Sequence, residues 1–177
     1  MLQNLEEYIE TDQNIVEKSI LHSLLAELYQ MYFNTQQYKI NRRTPITGYV
    51  PRNMAEWTGN IYREKIFQHA LDAVKARPQL TEVNCLTYKE ILVLGKNSPA
   101  LRPTMYDFLV YRSIDILNTI SRYNKQEPIT NKQLLFAPVK EFVQMPIEVK
   151  KMDAYSNTLK LYQSLLQSEI AAERTDA

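Results

Sequence analysis

Apolar residues recur along this chain at helical spacing. Leu21, Leu24, Leu25, Leu28 and Tyr32 stand at i, i+3, i+4, i+7 and i+11, one face of a helix expected over about 15–33. Ser23, Glu27 and Gln30 fall opposite. Asp12 is the expected N-cap, because a short carboxylate accepts one of the amides that a helix start leaves unbonded. A second helix is expected over about 54–76, capped by Asn53, with Ile66, Phe67, Ala70, Leu71 and Val74 as its main face. Trp57 and Ile61 are turned slightly aside. Arg77-Pro78 ends it, since the residue before a proline avoids the helical region. A shorter helix over about 87–94 precedes Gly95, placed for a left-handed C′ position.

Pro103 opens the most distinctive helix, which runs to about Arg122. Its apolar arc is broad: Met105, Tyr106, Leu109, Val110, Ser113, Ile116, Leu117 and Ile120. Phe108, Arg112, Asp115 and Thr119 point away. An arc that wide predicts two neighbouring elements. The last helix, over about 149–172, carries a stripe of Met152, Tyr155, Leu159, Tyr162, Leu166 and Ile170. Leu161 and Leu165 lie on another side that also needs a neighbour. The chain stops soon after, at Glu173-Arg174-Thr175-Asp176-Ala177, so that side reads as a sign that the natural polypeptide continues.

Two connections are long. Residues 34–53 hold Asn34, Asn41, Pro45, Gly48, Pro51 and Asn53, and exceed the usual loop. Tyr38, Ile40, Ile46, Tyr49 and Val50 suggest a strand of chain draped over the body. Residues 123–147 are broken by Pro128, Pro138 and Pro146, yet Leu134, Leu135, Phe136, Phe142 and Val143 need cover. The pattern therefore predicts an all-α fold. It is an irregular multi-helix bundle or helical-repeat-like array of about five main helices with long irregular connections, in one domain over 1–177.

Composition narrows the chemistry. Lys and Arg number 21 against 20 Asp and Glu, a net charge of +1, so no global field draws nucleic acid or an anionic membrane. No run approaches the roughly 20 apolar residues that cross a bilayer. The first residues, Met1 to Glu7, are acidic where a signal peptide is basic, so the chain reads as cytosolic or as an excised piece. Cys85, the single cysteine, excludes an internal disulfide and leaves the compartment open. With Gly48, Gly59 and Gly95 as the only glycines, no phosphate loop can be built.

Individual side chains each have a plain reading. His22 and His69 could meet in space, but two lone histidines read first as polar rim residues; no metal site is expected. Cys85, in Val83-Asn84-Cys85-Leu86, reads as a buried, inert small hydrophobe. Asp107 and Asp115 read as surface pairing partners rather than a catalytic pair. Residues 38–52 carry Lys39, Arg42, Arg43 and Arg52 with no acid, and Tyr38 and Tyr49 could stack bases. The simpler reading is a loop whose arginines pair with helix surfaces, and no nucleic acid is expected. Phe108, Tyr111, Arg112 and Asp115, at i, i+3, i+4 and i+7, form either a docking strip or a surface covered by residues 123–147. No catalytic residue and no cofactor is expected.

One resemblance adds to this. The phrase Leu101-Arg102-Pro103-Thr104-Met105-Tyr106-Asp107-Phe108-Leu109-Val110-Tyr111-Arg112 resembles the N-terminal helical region of large bacterial alpha-2-macroglobulin family proteins. Ile20-Leu21-His22-Ser23-Leu24-Leu25-Ala26-Glu27-Leu28-Tyr29, Arg43-Thr44, Trp57 and the helix from Tyr155 to Leu166 are similar in order and spacing. The resemblance implies a fragment of a much longer multidomain protease inhibitor, a protease trap of the cell envelope or periplasm, or secreted. Members with an internal thioester carry Cys-x-Glu-Gln. Cys85-Leu86-Thr87-Tyr88 departs from it, so no trapping chemistry is carried onto any residue here. The expected role is a non-enzymatic structural module. Its partners are neighbouring domains of the same polypeptide, or a protein partner or protease engaged through the parent. The expected interface is Phe108, Tyr111, Arg112, Asp115, Leu161 and Leu165, with no direct membrane insertion. The alternative is an independent helical-repeat adaptor that binds a peptide or partner helix.

Overall fold

The computed structural model describes residues 2–93, 95–123, 136–150 and 152–173. Among them the chain is all-helical, and its one β-type feature is an isolated antiparallel bridge between Asn84 and Thr104. Leu134, Leu135 and Pro128, which the sequence places in an irregular connection, lie outside the described residues.

Helix α1 (Leu2–Thr11) turns into α2 (Ile15–Ile40) through Asp12 and Asn14. Asn14, not Asp12, is the N-cap of α2: its Oδ1 accepts from the Val16 amide at 3.0 Å and the Glu17 amide at 3.3 Å. Asp12 instead accepts from the Asn14 amide at 2.9 Å and so shapes the turn. Helix α2 passes its expected end because residues 34–39 contain no proline or glycine and Ile40 reaches the core. Its buried face is only partly the expected one. Leu25 is buried and Leu21 and Tyr32 pack against the core as expected, but Ser19, Ser23, Ala26, Tyr29 and Phe33 also point inward, while Leu24 is exposed. Short side chains let the neighbouring helices approach, and Ser19 meets its own hydrogen-bonding need by donating to the Ile15 carbonyl at 3.0 Å.

Asn53 caps as expected, but it caps a single 3-10 turn (Met54–Glu56), through the Ala55 amide at 2.9 Å. Helix α3 (Gly59–Asp72) starts after Trp57 and Thr58 in extended conformation. Gly59 sits where α3 meets the end of α2: a Cβ there would stand 3.0 Å from Asn41 Oδ1 and 3.5 Å from the Phe33 ring. Arg77-Pro78 both ends this stretch and opens α4 (Arg77–Glu82), because proline fits a first helical turn. In place of the helix expected over 87–94, a 3-10 turn (Cys85–Tyr88) is capped by Asn84, which accepts from the Leu86 amide at 2.8 Å. Leu94 lies outside the described residues.

After the short α5 (Ser98–Leu101), α6 (Met105–Tyr123) follows the predicted span closely. Thr104 and Asp107 cap it reciprocally: Asp107 Oδ2 accepts the Thr104 amide at 3.1 Å, and Thr104 Oγ1 accepts the Asp107 amide at 3.2 Å. Every residue of the predicted broad arc is buried. Helix α6 packs against α2, α3, α4 and the last long helix, so the arc has the several neighbours its width implied. A four-residue turn, α7 (Val139–Phe142), leads to α8 (Ala154–Ala171), capped by Asp153.

The buried face of α8 is a correction. Ala154, Ser156, Thr158, Leu161, Gln163, Leu165 and Ser168 point inward, while Tyr162 and Ile170 of the expected stripe are exposed. Thr158 donates to the Ala154 carbonyl at 2.9 Å, which satisfies its hydroxyl inside the contact. As in α2, small hydroxyl residues occupy the tight side and leave larger apolar ones outside.

Candidate functional site

Chemistry-bearing side chains gather in two places, one at the junction of α1, α2 and α3 and one beside α8. At the first, Lys65 and His69 are one turn apart on α3 and share a face. Glu6 of α1 accepts from Lys65 Nζ at 2.9 Å and stands 3.3 Å from His69 Nε2. The other His69 nitrogen, Nδ1, lies 2.8 Å from His22 Nδ1 on α2. The two histidines do meet, and one of the facing nitrogens must carry the proton. With His69 donating through Nε2 to Glu6, a neutral ring leaves its Nδ1 bare, and His22 Nδ1–H donates to it.

The charges follow from this geometry. The His69 hydrogen bond, with Lys65 adding to it, outweighs burial and holds the Glu6 carboxyl down at about 2. Burial, then the neighbouring His69, pushes His22 below its ordinary value and favours the neutral ring. Burial and the adjacent Glu6 raise the Tyr29 phenol. Glu6 was legible only as one of the acidic first residues, and neither Lys65 nor Tyr29 carries a signal that would link it to a histidine. Among the described residues no group of three or more His, Cys, Asp or Glu could hold a metal ion. The arrangement is a clamp that fastens α1 onto α2 and α3.

Cys85 is buried, and its thiol donates to the Thr104 carbonyl at 2.8 Å. Burial, with Asp107 adding to it, pushes the thiol up to about 11, so it is not a thiolate near neutrality. Asp107 belongs to the α6 cap, and Asp115 is exposed.

The expected interface residues divide. Phe108, Tyr111 and Arg112 are half-buried and engaged within the chain. Arg112 forms an ion pair with Glu27 of α2, donates to Ser23 Oγ at 3.1 Å and lies over the Phe108 ring. Arg102 stacks on Tyr111, 3.8 Å from the ring centre. Leu161 and Leu165 are 8% and 4% exposed and belong to the core. The neighbour their side required is within this chain, so they are not surface anchors; the surface of α8 carries Tyr162 and Ile170 instead.

The 38–52 segment is only partly draped. Ile40 is buried, but Tyr38, Ile46, Tyr49 and Val50 are exposed. Arg43 Nη1 donates to the Trp57 carbonyl at 2.6 Å, and Trp57 Nε1 donates to the Pro51 carbonyl at 2.7 Å. Arg42 lies over the Tyr38 ring.

The second gathering is a cleft of about 420 Å³ between the end of α3, the start of α4 and α8. Its walls include Lys75, Arg77, Lys160, Ser164 and Gln167, with Tyr106 behind them. Arg77 donates to Ser164 Oγ and Ser168 Oγ, each at 3.0 Å, and to Gln167 Oε1 at 3.4 Å. Tyr106 and Ser164 share a 2.5 Å hydrogen bond. Sequence reading took Arg77 only as part of a helix stop; its place in a cleft depends on a helix more than eighty residues away. No helix among the described residues is long and apolar enough to cross a membrane. No protein family, no curated protein and no solved structure matches this chain.

Proposed function

We propose that this chain is a non-enzymatic structural and interaction module of a larger bacterial alpha-2-macroglobulin-like, protease-trapping protein of the cell envelope. The link to that family rests on the sequence phrases alone. The observation that supports a docking role is the outer side of α8. Tyr162 and Ile170 are exposed there, with Leu159 and Leu166 half-buried beside them, at the three- and four-residue steps of one helical face. In support of a non-enzymatic reading, the groups best suited to catalysis are engaged in the fold. The His22–His69–Glu6 chain fastens α1, and the Cys85 thiol is buried and bonded to Thr104.

The test compares hydrogen exchange of this chain alone with the same chain inside the longer polypeptide its gene encodes. Added protection on the outer side of α8 or over 108–115 is the expected result. A gene that encodes nothing further, or unchanged protection at both places, overturns the reading.

A further inference from the structure

The cleft beside α8 has a charge arrangement that the fold itself leaves unbalanced. Among the described residues, three cations, Lys75, Arg77 and Lys160, line it and no carboxylate does. Asp72, the acid nearest in sequence to Lys75, accepts from Gln68 Nε2 at 3.0 Å and forms no ion pair with Lys75. Arg77 is held in place by three neutral acceptors, Ser164, Gln167 and Ser168, and by the Tyr106 ring, 5.5 Å away. A guanidinium has five N–H donors, so two of Arg77's remain beyond those three bonds. Lys75 and Lys160 are exposed, and neither makes an ion pair among the described residues. Like charges gathered around one space repel one another, and an anion placed between them relieves that repulsion.

We propose that this cleft binds a small molecule bearing a multiply charged oxyanion, phosphoryl or polycarboxylate, with Lys75, Arg77 and Lys160 as its cationic walls. The volume suits a ligand of metabolite size. The chain's net charge is only +1, so no global field draws a nucleic-acid strand to it. Ser164 and Gln167 are engaged in holding Arg77, and Asn157 also lines the cleft. Arg77 is the fixed element, and the two lysines are mobile point charges that close on the ligand.

The full chain is titrated with inorganic pyrophosphate and, separately, with citrate at low ionic strength, by calorimetry and by amide chemical shifts. The expected result is one saturable site, with shifts centred on Lys75, Arg77 and residues 160–167. The double variant Lys75→Gln/Lys160→Gln weakens binding on the order of tenfold. Its thermal midpoint without ligand stays at or above that of the parent, since removing like charges relieves repulsion. Tighter pyrophosphate assigns a phosphoryl ligand; tighter citrate assigns a polycarboxylate. Failure of both to saturate, shifts centred on residues 39–52, or unchanged affinity in the double variant overturns the proposal.

Discussion

Helices α2 and α3 are joined in one way, and α6 and α8 in another. Around Tyr62 the contact is aromatic. Tyr29 and Trp57, Trp57 and Tyr62, and Phe33 and Tyr62 stand with ring centres 5.3, 5.3 and 5.9 Å apart, and Tyr32 stacks on Tyr62 at 5.7 Å. Such rings remove large apolar areas from water. The α8 contact joins Leu161 and Leu165 with Ser156, Thr158, Gln163 and Ser168. Hydrogen bonds replace bonds to water and contribute little net, so the two regions are expected to hold with unequal strength although both are buried. Burial alone does not measure how firmly an element is held.

The aromatic side should give the largest effect. Tyr62→Ala removes a fully buried ring and the 2.6 Å hydrogen bond from its hydroxyl to the Met54 carbonyl. A loss of about 3–5 kcal/mol in denaturant unfolding is expected. A loss under about 1 kcal/mol, the size of one ordinary hydrogen bond, would erase the contrast with α8.

The clamp on α1 should come next, and it carries a pH signature. Glu6 falls from 4.5 unfolded to about 2 folded, so the native state binds fewer protons between those values. Its contribution is complete above about pH 4.5 and is lost as pH falls toward 2. Glu6→Gln should lower stability by roughly 1–2 kcal/mol at neutral pH, after allowance for partial solvent screening. The gap from the parent should close by about pH 2. His22 acts in a higher window: its folded value is depressed below 6.5, so stability falls as pH drops from 6.5 through that lower value, and His22→Gln should remove this slope. Urea midpoints measured across pH check both.

On the α8 side, Gln163 donates to the carbonyls of Phe142 and Met145 at 2.6 and 2.8 Å. Gln163→Ala should cost about 1 kcal/mol and hasten proteolytic cleavage near residues 142–145. Unaltered cleavage would show that the segment is held by something else. The smallest effect belongs to Arg112 and Glu27, whose side chains are 34% and 43% exposed. A double-mutant cycle between them should give a coupling below about 1 kcal/mol.

The same contrast explains what the sequence disclosed. Helix α6 was legible because Pro103 marks its start and large apolar residues fill its arc, whereas Asp107, expected at the surface, is buried in its cap. Cys85 was legible as an inert buried thiol. The face of α2 was legible only in part and that of α8 was not, because Ser19, Ser23, Ser156 and Ser168 look polar in a pattern of apolar spacing, yet short hydroxyl side chains are what a close helix contact admits. Arg77 and Ser164 were beyond reach, since nothing local pairs residues that far apart. The His22–His69 contact was foreseeable as an encounter, but its anchor, Glu6, depended on where α1 docks.

A helix whose buried face mixes polar with apolar side chains is also the one that a neighbouring domain could engage most readily, which ties the proposed role to α8. Native-state hydrogen exchange on the full chain at rising urea tests this directly. The account predicts that the Leu161 and Leu165 amides of α8 exchange through an opening at least about 1 kcal/mol smaller than that of Ile66 and Ala70 in α3. A single shared opening free energy for both helices would contradict it.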